Sequence, residues 1–442
     1  LTADVSLDRR RLFICALLVL FAMGVAASTR AAIASDLRAA LFDPVDLASA
    51  GERIGSVLGA AFAGFAATLL IVSPLLDKLG MRRAVFAAVA ALLAGIALVI
   101  FADRIASGPA IYAIVTTGMV LQGIAWGLTE ATVNPMTTAL YPDDRIHRLN
   151  VLHAWWPAGL VTGGLAAVFM GQLGIDWRWI LVLAVLPAIL AAIIAAGLIF
   201  PQTERAAAGI PDSAMWAEFL RSPAIFGWII LMLMTASSEL APGQWVDLAL
   251  SRVVGMRGIL LLVYVSALMF VMRHFAGTLV HRLSSTGLLA ISSALASIGL
   301  FGLSVAASPA TALLAATAWG AGVCFMWPTM LASVASRFPR GGSLFIGVVG
   351  AAGASASWLV LPVLGRIYDN AKVAAAGGQA RFETLSGAEL EQTLAIAATA
   401  SFRAVAFIPL TLVVLFGLMA MVEAQMSKKK RIQTRSAPGG SL

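Results

Sequence analysis

The sequence predicts an all-α polytopic membrane protein whose twelve transmembrane helices form two pseudo-symmetric six-helix bundles. Three observations carry that expectation. The 442 residues are 60% hydrophobic and 12% charged, with a mean hydropathy of +0.92, whereas soluble domains are about 25% charged. Twelve apolar segments are each long enough to cross about 30 Å of hydrocarbon. Motifs in the first half recur in the second.

The spans are expected near 11–34, 54–76, 84–102, 110–140, 149–172, 179–200, 224–249, 258–280, 287–307, 310–336, 343–367 and 399–424, each end carrying an error of about four residues. Lys and Arg set the orientation. With the N-terminus inside, 18 of the 30 fall on the cytoplasmic side, among them Arg9, Arg10, Arg11, Lys78, Arg82, Arg83 and the basic run 428–431. Eleven fall outside, and Arg273 stays within the inner part of span 8. Both termini are therefore expected in the cytoplasm. The net charge of +8 follows this alternation, not one continuous face, so no nucleic-acid partner is expected. Arg9, Arg10 and Arg11 before an apolar run resemble a signal-peptide start, but eleven further spans follow, which favours a first transmembrane helix. Cys15 and Cys324 sit in apolar runs and read as small core residues, too few for a disulfide framework.

The expected layout is a bundle over 1–200, a cytoplasmic linker over 201–223, a second bundle over 224–426 and a basic tail over 427–442. Within the linker, 214–220 reads as a short amphipathic helix on the membrane surface. An outer loop over 368–398 is expected to hold a short helix near 388–394. Trp126-Gly127 precedes Pro135 by the interval at which Trp319-Gly320 precedes Pro328, 193 residues later. Ser73–Leu79 and Gly277–Leu283 share leucine and basic positions at an offset of 204. Two matches at nearly equal offset favour a duplicated six-helix unit.

A polar stripe marks span 4. Gln122, Trp126, Glu130, Asn134 and Thr137 recur at helical spacing in apolar sequence. A carboxylate midway along a span costs several kcal/mol unless it meets a partner or a watery cavity. The stripe reads as the substrate path of a secondary transporter, or else Glu130 is a structural group bonded to a neighbouring helix.

Asp77-Lys78-Leu79-Gly80-Met81-Arg82-Arg83 follows span 2. Gly80 permits a tight turn, and Asp77 can sit against a helix N-terminus, a favourable place for a carboxylate. The run resembles the loop 2–3 signature of the major facilitator superfamily, with Ser73 where a Gly usually opens it. The resemblance implies a gating role for Asp77, Arg82 and Arg83, with Asp77 facing the start of span 11 at Gly342-Ser343. Glu130-Ala131-Thr132-Val133-Asn134-Pro135 and Arg148-Leu149-Asn150 resemble, over about 40 residues, the fucose:proton symporter group. That resemblance implies a protonatable Glu130, with Asn134 and Asn150 near the path. It departs in span 1, where the group carries an Asp flanked by amides and this chain has Ala27-Ser28-Thr29-Arg30-Ala31. Arg30 either lines the outer cavity or snorkels to the interface; lining would suit an anionic substrate or a carboxylate across the path.

Span 7 supplies such a carboxylate, Glu239, followed by Pro242-Gly243. This pair is expected to break the helix and free carbonyls for substrate or water, as discontinuous transporter helices do. Gln244, Trp245 and Asp247 make its outer half polar. Glu239 and Arg30 occupy equivalent places in the two halves, and a closing pair is the favoured expectation. Trp126, Trp319 and Trp327 lie inside spans, where indole offers an apolar face and one N–H to a sugar; packing is the alternative. His153, with Asn150, is a candidate for the cavity wall, and Arg273 for an inner gate near the reduced repeat motif. Gly55 and Gly59, and Gly347, Gly350 and Gly353, are candidates for close helix contact.

The leading functional expectation is a proton-coupled sugar importer working by alternating access. Glu130 and Glu239 are its proton-coupling candidates, and Gln122, Trp126, Asn134, Asn150, His153, Arg30, Gln244, Trp245, Trp319 and Trp327 its substrate-binding candidates. The alternative is a transporter, an exporter included, of an organic anion or amphipathic compound. A transport-inactive receptor would call for a soluble sensory segment. A membrane enzyme would call for a catalytic constellation, and neither a metal-spaced His cluster nor a phosphate-binding Gly loop is legible. No metal or cofactor is implied. The expected partners are a small-molecule substrate, protons and the lipid bilayer, around a monomer in a bacterial-type inner membrane.

Overall fold

The computed structural model describes residues 7–45, 50–250, 254–256 and 258–436, all helix, turn or irregular chain with no strand among them. Asp8 caps the first helix by accepting from the Arg11 N–H, and apolar sequence carries it on: α1 is Arg9–Ala32. α2 is Ala50–Val72, tightening at Pro74 into a short 3₁₀ turn before ending at Leu79. Gly80, at φ +82°, turns the chain into α3, Met81–Ile100, in a conformation that glycine adopts without strain. α4 is Ala110–Leu140, α5 is Arg145–Gln172, and α6 runs in two pieces, Trp177–Val182 and Val185–Ala196.

In the second half, α7 is Ala224–Leu250. α8 is Gly258–Arg273, resumed as Ala276–Leu283, and α9 is Ser285–Ser304. A Ser308–Thr311 capping box opens α10, which runs as Pro309–Val323 and Met326–Arg337. α11 is Gly342–Ala376 and α12 is Gly387–Ser436. Ten described helices are long and apolar enough to cross a membrane, and two shorter apolar stretches, Leu260–Arg273 and Gly342–Ala356, lie in α8 and α11. The twelve expected spans are thus each met by a helix.

Two large apolar cores lie one in each half. In the first, α1 packs on α5 and α4 on both α2 and α3. In the second, α9 packs on α10 and α12, and α7 on α11. Close approach needs bare backbone: a Cβ on Gly24 would meet the Trp156 carbonyl at 2.4 Å, and one on Gly123 the Ala61 carbonyl at 2.1 Å. Gly347 and Gly353 make such contacts in α11, as expected. Gly59 does not: α2 approaches α4 at Gly64, where a Cβ would meet the Val120 carbonyl at 2.6 Å, and at Gly123 and Gly127 of α4; the Gly55 side lies outside the described residues. The halves meet where α5 crosses α8 and α2 crosses α11, along a small apolar seam of Phe65, Leu69, Ala131, Ala351 and Ala354.

Two expectations about local structure are corrected. The outer loop is short, since α11 runs on to Ala376 and α12 starts at Gly387, leaving one helical turn at Gln379–Phe382. Ala- and Glu-rich sequence on either side is good helix former and simply extends both helices. The break expected at Pro242 is absent: α7 is continuous through it, while α10 breaks at Cys324-Phe325, ahead of Pro328. The linker helix is present as Asp212–Arg221, with Met215 buried against the second half and Leu220 79% exposed.

Candidate functional site

The stripe on α4 faces the protein interior. Glu130 is 5% exposed, and Gln122, Asn134 and Thr137 are buried with it. One turn on from Glu130, Asn134 Nδ2 donates to its Oε2 at 2.7 Å. Asn134 Oδ1 lies 2.8 Å from His153 Nε2 on α5. With the amide N–H committed to the carboxylate, Oδ1 accepts and the ring N–H donates, an assignment that follows from the network. His153 Nε2 is also 3.8 Å from the carboxylate itself. Glu130, Asn134 and His153 therefore form one buried polar chain joining α4 to α5.

Trp126 stacks between Phe65, at 4.0 Å and 1°, and Trp156, at 4.4 Å and 13°. Both indole faces are covered, which corrects the expectation of a face free for a sugar: aromatic rings on adjacent helices fill that space first. What remains is the N–H, which is buried without a hydrogen bond. The N–H groups of Trp155 and Trp327 are likewise buried and unpaired, as are Asn150 Oδ1 and Glu239 Oε2. Asn150 Nδ2 bonds the Ile146 carbonyl at 2.8 Å and reaches Thr329 of α10 at 3.4 Å, so it lies on the seam between halves.

Arg30 neither snorkels nor meets Glu239. It is buried, and its Nη1 donates to Gln122 Oε1 at 2.9 Å. Glu239 instead faces Arg273, with Oε1 3.6 Å from Nη2. The expected Arg30–Glu239 pair is therefore not formed in this structure; each group has a nearer partner in its own half. Arg273, the inner-gate candidate, is 2% exposed, donating to the Cys324 carbonyl at 2.7 Å and the His153 carbonyl at 2.6 Å. Sequence placed it within the inner part of span 8 but could not show these partners. Trp319 is wholly buried, and its N–H donates to the Ser238 carbonyl at 2.9 Å. That carbonyl is the one Pro242 leaves without its helical partner, so the freed group is taken by protein. The side chains of Gln244, Trp245 and Asp247 lie outside the described residues.

On the side bearing the linker, Asp77 does not reach the start of α11. It pairs with Arg205 of the linker and accepts from Thr203 Oγ1 at 2.8 Å. Arg205 also bonds Asp212 at 2.8 Å, and Lys78 approaches Asp212 at 3.2 Å. The α2–α11 contact is made instead by Ser343 Oγ donating to the Ser73 carbonyl at 2.5 Å. A fixed guanidinium offers a carboxylate more than a helix end does, which is why Asp77 turns to Arg205. Arg82 donates to the Ala196 carbonyl at 2.6 Å, while Arg83 is exposed. Arg205 was missed in the sequence because a linker arginine looks like any other loop charge.

Two halves of apolar helices, meeting along an apolar seam crossed by a few buried polar contacts, define a multi-pass membrane protein. The sequence pattern of the Major Facilitator Superfamily matches residues 12–367, and the chain belongs to that superfamily of transporters. No curated protein matches it in sequence. Among solved structures, the proton:xylose symporter XylE bound to 6-bromo-6-deoxy-D-glucose is similar at 14% identity and TM-score 0.74, covering 93% of this chain and 96% of its own. A single-substitution variant of the E. coli fucose:proton symporter FucP is similar at 16% identity and TM-score 0.64, covering 91% and 98%. The human organic anion transporter TETRAN is similar at 13% identity and TM-score 0.68, covering 93% and 100%. At such identities these likenesses establish the fold.

Proposed function

We propose that the protein is a secondary active transporter of a neutral, hydroxyl-rich solute such as a sugar, coupled to protons by alternating access. The observations that carry this reading are the Glu130–Asn134–His153 chain and the buried, unpaired indole N–H groups of the same interior. Buried polar groups without partners are costly, and a polyol, which both donates and accepts, would satisfy indole donors and the Asn150 and Glu239 acceptors together. Glu130 and Glu239 are the proton-coupling groups, and Asn134 and His153 extend the first toward the seam. Gln122 and Arg30 set the charge above it, while Asp77 and Arg205 hold the linker side. The two solved sugar:proton symporters with this fold support the class of solute.

A second reading, an organic anion carried with a proton, rests on Arg30. Its partner is a neutral amide, so protonation of Glu130 would leave a buried cation that an anionic solute could balance. Charge movement separates the two readings. Purified protein in proteoliposomes would be offered sugars, sugar acids and carboxylates under a pH gradient, with and without an imposed potassium diffusion potential. A neutral solute moving with one proton carries charge and responds to the potential, whereas a monoanion moving with one proton does not. Uptake indifferent to the pH gradient would exclude both.

A further inference from the structure

Arg273 makes its hydrogen bonds to two backbone carbonyls, which is unusual because helical carbonyls are already engaged by the N–H four residues on. Here both acceptors are the ones that a proline leaves free. Cys324 lies four residues before Pro328, and His153 four before Pro157. Ser238, four before Pro242, is filled in the same way by Trp319. An unshared carbonyl in a dry interior is a strong acceptor, and a guanidinium supplies several donors in a fixed plane. Arg273, Cys324 and Glu239 belong to the second half, and His153 to the first. The Arg273–His153 bond therefore crosses the seam, and the side chain of His153 is the end of the Glu130–Asn134 chain.

We propose that Pro157 and Pro328 create a carbonyl receptor for Arg273, and that this residue is a two-position latch between the halves. In this structure Nη1 holds the first half through the His153 carbonyl, and Glu239 waits at 3.6 Å, close enough to attract Nη2 without a hydrogen bond. The linker side is closed here by the Ser343–Ser73, Asn150–Thr329 and Gly277–His147 bonds. When the halves part there, the His153 carbonyl moves away, the Cys324 bond is kept and Glu239 is the acceptor at hand for the released guanidinium N–H. Arg273 thus positions the halves without touching solute, whatever the solute is.

The test is a proline substitution read by distance. Pro157→Ala supplies an N–H that competes for the His153 carbonyl, and it restores a helical bond instead of deleting a buried charge. Spin labels would be placed at Asp143 and Ser336 on the linker side and at Ser107 and Ala307 on the other, positions that are exposed or half-buried; the native Cys15 and Cys324 are buried. Pro157→Ala and Arg273→Gln are both expected to raise the ratio of open to closed linker-side distances by about ten-fold or more, the weight of one hydrogen bond from a charged donor. The opposite pair should shorten in step. The thermal midpoint of Pro157→Ala in detergent should hold or rise. Unchanged distances in Pro157→Ala would overturn the latch, even if Arg273→Gln proved too unstable to label. These readouts need no transport, so they stand or fall apart from the proposed solute and ion.

Discussion

Arg30 of α1 donates to Gln122 of α4 across 2.9 Å, so among the described residues a buried cation is held by a neutral amide and not by an acid. The bond joins α1 to the helix that carries Glu130 and Asn134.

That arrangement makes a definite double-mutant prediction. Gln122→Leu should destabilise the protein by about 1.5–3 kcal/mol, as expected for a lost hydrogen bond to a charged group. Adding Arg30→Met should recover much of the loss, because the stranded charge is gone. Arg30→Ala and Glu239→Ala should instead add. Coupling between Arg30 and Glu239 larger than that between Arg30 and Gln122, measured by unfolding in detergent, would refute the assignment.

Glu130→Gln keeps the acceptor for Asn134 but cannot exchange a proton. It should abolish accumulation driven by a pH gradient while leaving exchange between compartments of equal pH partly intact. Uptake in the variant that still varies with pH as in the parent would remove Glu130 from the coupling.

Trp126→Phe retains a ring between Phe65 and Trp156 and deletes the N–H. Solute affinity should fall about three- to ten-fold, one hydrogen bond's worth, with little change in thermal midpoint. An unchanged affinity with a lowered midpoint would make Trp126 a packing residue only.

Asp77→Asn removes the carboxylate that Arg205 and Thr203 share. The Asp143–Ser336 label distance should lengthen, and Arg205→Ala should do the same. If neither variant moves that distance, the linker is a tether and takes no part in closure.

The helices themselves were legible in the sequence, because apolar length and charge alternation are local signals that the membrane makes strict. The Glu130 face was legible too, since Gln122, Trp126, Glu130 and Asn134 keep the helical period. Partner choice was not. Periodicity shows which face of α4 is polar, but not that α5 brings His153 to Asn134, nor that α8 sends Arg273 across to its carbonyl. The same gap explains Pro242: a proline signals a freed carbonyl, and only packing reveals that Trp319 fills it and keeps α7 whole.

α4 and α10 are counterparts in the repeat, each with Trp-Gly followed by a proline at the same interval, yet they are mechanically unlike. α4 runs 31 residues without interruption through Pro135, whereas α10 is two pieces joined at Cys324-Phe325. Bending is therefore cheap on one side of the seam and costly on the other. A strain applied at the centre would be taken up by the jointed α10, while the stiff α4 keeps Glu130, Asn134 and their geometry undistorted. Elastic asymmetry of this kind lets one half yield as the other keeps its register.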